Sequence, residues 1–514
     1  MAVGPERFVG GARAVLAFFL VCVVLPGVHG ADDAHLGPKE PPGEDEGTVR
    51  WEEDEEKERA KKVLVEELRG LVFVDEVRKI VREGALGEGV RVDGLGVLER
   101  KRARRALKRY LGRPVTMNLL AAVKRDVIRL FRGADRPVVD VILPEQDITT
   151  GIVQFLVLEA RLGTVRVEGN SWFGADAFAG QVRIERGEII RTDRLRGDVR
   201  WINRNPFRHV DAVFRRGEER GLTDILLRAE DRRPFRLYTG YEDTGNELTG
   251  KERVLAGFNA GSVLSADDQL SYQFTASSDL DRLQAHSVSY TAWLPWRHIL
   301  HAFGSASESE ASRGPLELEG SSRQLGVRYE IPLPAGERYA HSVEMGFEWK
   351  ESDNDLLFGA VRLSQTQTEV GQWLAGYRLD MPDRWGRTGL DLTCYYSPGH
   401  WFGEQTESAY SAARAGSEPD YVYGRMDLTR LTRLPLGMRL STELAWQEAD
   451  GNLLASEQIG FGGFDSIRGF DQRIVGNTDE GWYVRNELRS PQWSPASALG
   501  LGEGVDSLEC PGVW

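Results

Sequence analysis

From Pro234 to about residue 490, apolar and polar side chains alternate along one short segment after another. In SVEMGFEWK the apolar positions are Val343, Met345, Phe347 and Trp349, and the residues between them are polar or glycine. Alternation with a period of two residues puts successive side chains on opposite faces of a strand. About twelve such segments follow one another, joined by turns and by longer polar loops such as residues 403–420. This part of the chain is therefore predicted to form about twelve strands, each with one apolar face.

The distribution of charge along these segments indicates what covers the apolar face. Charged residues repeatedly occupy one face, and aromatic residues crowd the other. Segments of about ten residues that are apolar outside and polar inside are typical of a membrane-spanning β-barrel. Closure leaves no unpaired strand edge in lipid. We expect an antiparallel transmembrane barrel over residues 234–490, with a soluble all-β domain as the alternative. Trp293, Trp296 and Trp385 lie near predicted strand ends, where aromatic belts mark the membrane interface.

The N-terminus has the three-part pattern of a secretory signal peptide. Arg7 and Arg13 precede an apolar run at residues 14–25, and small residues follow before Ala31. Residues 1–30 are predicted to be this signal, with an N-terminal membrane anchor as the alternative. Residues 31–63 are acidic and contain Pro and Gly, which predicts a linker. The net charge of −14 argues against nucleic acid as a partner.

Two α+β units are predicted between the linker and the barrel, over residues 64–160 and 161–233. Each contains a strand, a pair of helical segments and further strands. Helices are expected at about 100–112, 119–131, 176–181 and 192–203. The basic stretch at residues 100–113 is interpreted as a solvated helix face, and a docking surface for an acidic partner is the other interpretation.

Several segments, in this order, resemble the haemolysin secretion/activation family of two-partner secretion translocators (ShlB, FhaC and HecB types), within the BamA-like superfamily. They are VVDVILPEQDITTGIVQFLVLEARLGTVRVEGN, WINRNPFRHVDAVFRRGEERGLTDILLRAED, RPFRLYTGYEDTGNELTG, IRGF at 467–470 and GWYVRNELRS. The resemblance implies two POTRA domains in the periplasm before a barrel of about 16 strands in the bacterial outer membrane. It also implies that the barrel exports a partner protein of haemolysin or adhesin type, which the POTRA domains recognise in extended form.

The same resemblance implies a role for the IRGF loop (Ile467, Arg468, Gly469 and Phe470). In the family this loop folds back into the lumen, where its arginine meets carboxylates of the inner wall, so Arg468 is expected to act as a latch. A guanidinium in a narrow lumen requires a partner, and a bidentate carboxylate suits its planar fork. Alternation places Glu487 on the polar face of its strand, and Asp471 is a second candidate. We expect the glycines at 460, 462, 463 and 469 to let the backbone turn.

The sequence contains no recognisable set of catalytic residues. GxSxG, HExxH and CxxC are absent, and the eight histidines are scattered. Residues 245–252 have the spacing of a P-loop, but Glu252 stands where Ser or Thr binds magnesium, so a hairpin turn is predicted. We therefore expect no enzymatic activity, cofactor, metal or nucleotide. Three cysteines do not make a disulfide framework.

Residues 491–514 depart from the pattern, since they lack sustained alternation and contain three prolines. The family barrel needs about four more strands after residues 481–490, so we expect an incomplete barrel of about 12 strands and a frameshift or gene-model artefact in this tail. Other functions considered are a BamA-like assembly factor and a passive porin or binding barrel, with an outer-membrane enzyme as a more distant alternative.

Overall fold

The structure, a computed structural model, describes residues 62–491 except 86, 220, 246–248, 266, 314–315, 335, 337–338, 359–360, 464–465 and 471–475. Two compact units divide the chain, one within Gly30–Arg232 and one that begins at Arg233. The predicted signal peptide, almost all of the acidic linker, Asp471 and nearly the whole tail lie outside the described residues. The domain boundaries given above stay predictions.

The first part of the N-terminal unit is a four-stranded mixed sheet covered by helices. The sheet has the order β3-β2-β6-β5, and strand β1 pairs separately with β4. Its core is formed by apolar residues of β2, β6 and the longest helix, including Phe73, Phe155 and Phe131. The elements are β1 (Val63–Val65), β2 (Gly70–Val74), β3 (Gly89–Asp93), α1 (Gly96–Glu99), α2 (Lys101–Lys108), β4 (Val115–Thr116), α3 (Met117–Arg132), β5 (Val139–Ile142) and β6 (Ile152–Glu159).

The second part of this unit is a three-stranded sheet with its own hydrophobic core. The strand order is β7-β9-β8, with β7 and β9 parallel. Phe178, Ile190 and Val210 are among the buried core residues. The elements are β7 (Arg161–Glu168), α4 (Asp176–Ala179), α5 (Thr192–Ile202), β8 (Arg208–Arg216) and β9 (Leu222–Asp231).

The sequence patterns located most elements of this unit. Thr116 caps the N-terminus of helix α3, since its hydroxyl accepts a hydrogen bond from the Leu119 N–H. The apolar stripe of this helix is buried, as the periodicity predicted. The short strands β1, β3 and β4 were not predicted, and β1 and β4, with three and two residues, are too short to show a period. The basic residues of α2 are largely exposed, whereas Ala103 and Leu107 are buried.

Twelve strands in the described part of the second unit form one antiparallel sheet, as the alternation predicted. The order is sequential from β10 to β20 and ends with β23. The strands are β10 (Phe235–Glu242), β11 (Arg253–Gly261), β12 (Asp268–Ser277), β13 (Leu283–Trp293), β14 (Ile299–Arg313), β15 (Leu316–Pro332), β16 (Ala340–Phe358), β17 (Val361–Asp383), β18 (Gly386–Pro398), β19 (Asp420–Arg433), β20 (Arg439–Ala449) and β23 (Gly481–Arg489). A helix, α6 (Glu407–Ala413), lies between β18 and β19, and β21 (Ile459–Phe461) pairs with β22 (Gly476–Thr478).

The register of these strands separates two faces. Directly opposed residues share a face, so Leu325 and Trp349 lie together, and Glu348 and Gln372 lie together on the other side. The first face, here called the lipid face, exposes large apolar side chains such as Leu325, Trp373 and Trp482. The second, here called the lumen face, buries Glu348 and Gln372. The alternation thus predicted the correct face for both sets.

The two ends of the sheet carry different connections. We call the end at which β10 begins proximal and the opposite end distal. Trp293 ends β13, while Trp296 and Trp385 lie in the turns that follow β13 and β17, so all three are at the proximal end. Strands β14 to β17 have 15 to 23 residues and are longer than the predicted ten or so. None of the helices in the described ranges is long and apolar enough to cross a membrane.

Asp231, the last residue of β9, provides a test of how the three-stranded sheet β7-β9-β8 is stabilised. Its carboxylate accepts hydrogen bonds of 2.8 Å from the backbone N–H groups of Ser171, Trp172 and Phe173. Burial raises the pKa of Asp231, but these bonds outweigh it and lower the pKa. The stabilisation is therefore present above the ordinary carboxyl pKa and is lost as the pH falls through the lowered value.

We expect Asp231→Asn to lower the free energy of unfolding of the N-terminal unit by about 1 kcal/mol at pH 7. Urea-dependent proteolysis of the full chain measures this change. The control is Asp211→Asn, which alters an exposed carboxylate on β8. An equal loss of stability in both variants, or no loss in either, would contradict a stabilising role for the Asp231 carboxylate.

Candidate functional site

The connection between β20 and β23, residues 450–480, emerges at the distal end and contains the IRGF loop. The β21–β22 pair makes it a hairpin. Beyond β21, Gly462, Gly463 and Gly469 have φ values of 104°, 100° and 90°, which favour glycine. The Gly463 N–H donates to the Phe470 carbonyl at 3.1 Å, which closes the loop. The prediction was wrong for Gly460, because this residue lies in β21 opposite Asn477.

Arg468 forms an ion pair with the lumen face of β23. Its Nη2 lies 2.9 Å from Glu487 Oε1, and the side chains are 42% and 10% exposed. Strand β23 begins at Gly481 at the distal end, and Glu487 lies six residues further along it, at a distance of about 20 Å. The loop therefore folds back along the inner wall instead of extending away from the barrel.

The other residues of the predicted site are placed around this pair. Ile467 is half-buried, while Gly469 and Phe470 are exposed. Glu487 also lies 3.2 Å from Arg489 and 3.6 Å from Arg485, so three guanidinium groups surround one carboxylate. Asp471, the second predicted partner, lies outside the described residues.

A second contact between the loop and the wall is deeply buried. Glu457, two residues before β21, is fully buried. Its carboxylate accepts hydrogen bonds from Lys350 Nζ at 2.9 and 3.1 Å, from Gln372 Nε2 at 2.9 Å and from the Tyr423 hydroxyl at 2.7 Å. These three partners belong to β16, β17 and β19. A side chain of the loop is thus bound by three separate strands of the lumen face.

Further charged and aromatic groups line the wall beside Glu457. Glu348 pairs with Arg328 and lies 3.5 Å from Lys350. The rings of Tyr395 and Tyr423 stack at 4.5 Å, and the Arg425 guanidinium lies over both. Buried charges of this kind require partners because removing them from water is costly.

A small apolar cluster joins the loop to the α6 connection at the distal end. Tyr410 of α6 is fully buried and packs with Leu453 and Leu454 from the start of the loop. Next to this cluster, Arg414 Nη2 donates to Asp479 Oδ2 at 2.7 Å. Asp479 also accepts from the Leu453 N–H at 3.0 Å. The two ends of residues 450–480 are therefore both attached near the distal end.

Comparisons with known proteins identify this architecture. Residues 221–507 match the family described as haemolysin secretion/activation protein ShlB/FhaC/HecB. The heme/hemopexin transporter protein HuxB of Haemophilus influenzae is 22% identical over 400 residues, which cover 74% of this chain and 68% of HuxB. The outer membrane transporter CdiB of Dickeya dadantii is 22% identical over 381 residues, covering 68% of this chain and 62% of CdiB.

Solved structures agree on the fold. The structure of CdiB from Escherichia coli superposes with a TM-score of 0.65 at 17% identity, over 84% of this chain and 76% of CdiB. The family match spans more than half of the chain. The chain belongs to the ShlB/FhaC/HecB family. It is an outer-membrane translocator of the two-partner secretion type.

Sequence reasoning about this translocator missed Glu457, Lys350 and the Arg414–Asp479 pair. Alternation assigns Lys350 to the lumen face with Glu348, which is a usable signal. Glu457 and Asp479 lie in a loop without periodicity, so nothing local indicates their partners. Among the described residues, no group of three or more His, Cys, Asp or Glu side chains is arranged to hold a metal.

The Arg414–Asp479 pair, here called the clamp, yields a pH-dependent prediction. Burial raises the pKa of Asp479, but hydrogen bonds from Arg414, Gln458 and the Leu453 backbone outweigh it and lower the pKa. The pair is thus retained above the ordinary carboxyl pKa and is lost as the pH falls through the lowered value.

We expect cleavage of residues 399–419 by protease added to the detergent-solubilised protein to stay constant from about pH 8 to about pH 5. Asp479→Asn, which mimics protonation, should increase this cleavage several-fold at pH 7. Glu480→Gln makes the same charge change at an exposed neighbour and should have no effect. Equal cleavage of all three proteins would refute the clamp.

Proposed function

We propose that the POTRA domains of this translocator capture the exported partner as an extended segment. Addition of a strand to a sheet edge provides main-chain hydrogen bonds without requiring a folded partner. Within the described residues, β7 and β8 are the edge strands of the second domain, and β3 and β5 those of the four-stranded sheet in the first. These four edges are the candidates for partner binding.

The partner then passes through the barrel, and the IRGF loop acts as its latch. The observation that carries this proposal is the ion pair between Arg468 and Glu487, which fastens the loop to the inner wall. The pair is partly hydrated, and exposed ion pairs typically contribute about 0–1 kcal/mol. Such a contact can open without a large energy input, which suits a latch.

The proposed translocation includes no catalytic step. Outside the cell no ATP is available, so export proceeds on binding to the POTRA domains and on folding of the partner at the cell surface. The translocator is accordingly proposed to have no enzymatic activity, nucleotide or cofactor. Outer-membrane lipid contacts the lipid face, where Leu325 and Trp482 are exposed.

Two other functions make different predictions in proteoliposomes. A BamA-like assembly factor would promote insertion of other barrels, and a passive porin would conduct solutes without selecting a protein. Partner-specific uptake from a mixture of exported proteins supports the translocator. Barrel insertion without protein transport, or unselective solute flux alone, contradicts it.

We expect Arg468→Ala to reduce secretion of a candidate partner by at least about tenfold while the barrel still folds. The wall tolerates this change because Glu487 keeps Arg485 and Arg489 nearby. Secretion is measured in the culture medium, and barrel folding by heat-modifiable migration in gels.

The matched control is Arg489→Ala, which removes another guanidinium from the same carboxylate but does not touch the loop. It should secrete at nearly the wild-type level. Equal secretion by the two variants, whether high or low, would argue that the link between loop and wall has no specific role.

A further inference from the structure

We propose that Glu457 is a second anchor, which fixes the base of the loop to the barrel wall so that only the β21–β22 hairpin moves when the latch opens. This inference rests on the proposed function, because it defines which part of the latch is mobile. Glu457 is a positioning residue, since it acts through the loop that carries Arg468.

The side chain of Glu457 is held from several directions. Lys350 from β16, Gln372 from β17 and Tyr423 from β19 all donate to its carboxylate within 3.1 Å. The carboxylate is fully buried, so water does not compete for these bonds. A group bound in this way cannot move unless all three strands release it together.

The backbone at Glu457 is held as well. Its carbonyl oxygen accepts hydrogen bonds from Arg425 Nη2 at 2.8 Å and from Gln447 Nε2 at 3.0 Å. Gln447 belongs to β20 and also donates to the Asp479 carbonyl at 2.9 Å. One glutamine thus connects the two ends of the loop, and main chain and side chain are both fixed at the base.

The two loop contacts differ in burial and therefore in strength. The side chains of Glu457 and Lys350 are 0% and 16% exposed, whereas Arg468 is 42% exposed and its partner Glu487 is 10% exposed. Breaking the first pair leaves an uncompensated buried charge. Loss of the second pair returns Arg468 to water and leaves Glu487 beside Arg485 and Arg489. The tip contact is consequently the one that opens first.

The position of Glu457 in the chain agrees with this division. The anchor at Glu457 and the clamp at Asp479 lie immediately before and after the β21–β22 hairpin. The hairpin carries its own hydrogen bonds, from Ile459 opposite Thr478 to Phe461 opposite Gly476. This strand pair can therefore pivot as one piece between two fixed points.

Cysteine labelling tests the inference in the full-length protein in outer-membrane vesicles. A Cys394→Ser/Cys510→Ser background removes the cysteines outside the signal peptide, and Ser456→Cys reports on the base of the loop. We expect Glu457→Gln to increase the rate at which a membrane-impermeant maleimide labels position 456 by at least about tenfold, and to raise channel conductance in potassium chloride. Arg468→Ala should change labelling at 456 by less than about twofold.

Two further variants separate anchoring from simple misfolding. Lys350→Met/Glu457→Gln removes both charges, and Glu348 keeps Arg328 as a partner. This variant should migrate as a folded barrel and still label rapidly at position 456. Glu480→Gln, which changes an exposed carboxylate of the same loop, should label like the parent.

The inference is overturned if Arg468→Ala accelerates labelling at 456 as much as Glu457→Gln does, since the loop would then move as one unit. It is also overturned if the folded double variant labels at the parental rate. Neither measurement uses a secreted partner. Normal secretion by Arg468→Ala would therefore remove the latch proposal without affecting this result.

Discussion

The fold of the second unit depends on one constraint, which is that backbone N–H and C=O groups in lipid must be bonded within the protein. Ladders between neighbouring strands satisfy it except at the outer edges of β10 and β23, which have no partner strand among the described residues, and they fix the register at the same time. A slip of one residue would move Glu348 to the lipid face and Trp349 to the lumen face. The alternating sequence and the ladder thus determine each other, and the lumen receives its charges as a consequence.

This link between alternation and strand register explains which structural features the sequence predicts and which it does not. Alternation is local, so it predicted the strands, their faces and the lumen position of Glu487 without knowledge of any pairing. The surroundings of Glu457 depend instead on the register of β16, β17 and β19, which brings Lys350, Gln372 and Tyr423 together from distant parts of the chain. Likewise, the Arg414–Asp479 pair joins two loops, and loops carry no period from which a partner can be inferred.

Burial determines how much free energy is needed to break each contact of residues 450–480. Removing one partner from a buried ion pair typically costs about 3–5 kcal/mol, whereas an exposed pair contributes about 0–1 kcal/mol. Glu457 with Lys350 belongs to the first class, and Arg468 with Glu487 is closer to the second. If the base and the tip of the loop were attached to the wall equally strongly, the loop would either stay closed or detach completely. In the proposed latch, this difference lets the tip open while the base stays in place.

The path of the hairpin adds a mechanical argument. Its base is held near the distal end, yet its tip reaches Glu487, which lies two residues before the proximal end of β23. The hairpin therefore spans much of the height of the wall, and release at one end alone would sweep it across the lumen. Phe461 packs edge-on against Tyr483 at 6.1 Å, a contact close to the pivot that a rotation of the hairpin could keep. In the proposed latch, opening therefore requires the loss of the tip ion pair, whereas the contacts of Glu457, Asp479 and Phe461 lie at or near the hinge.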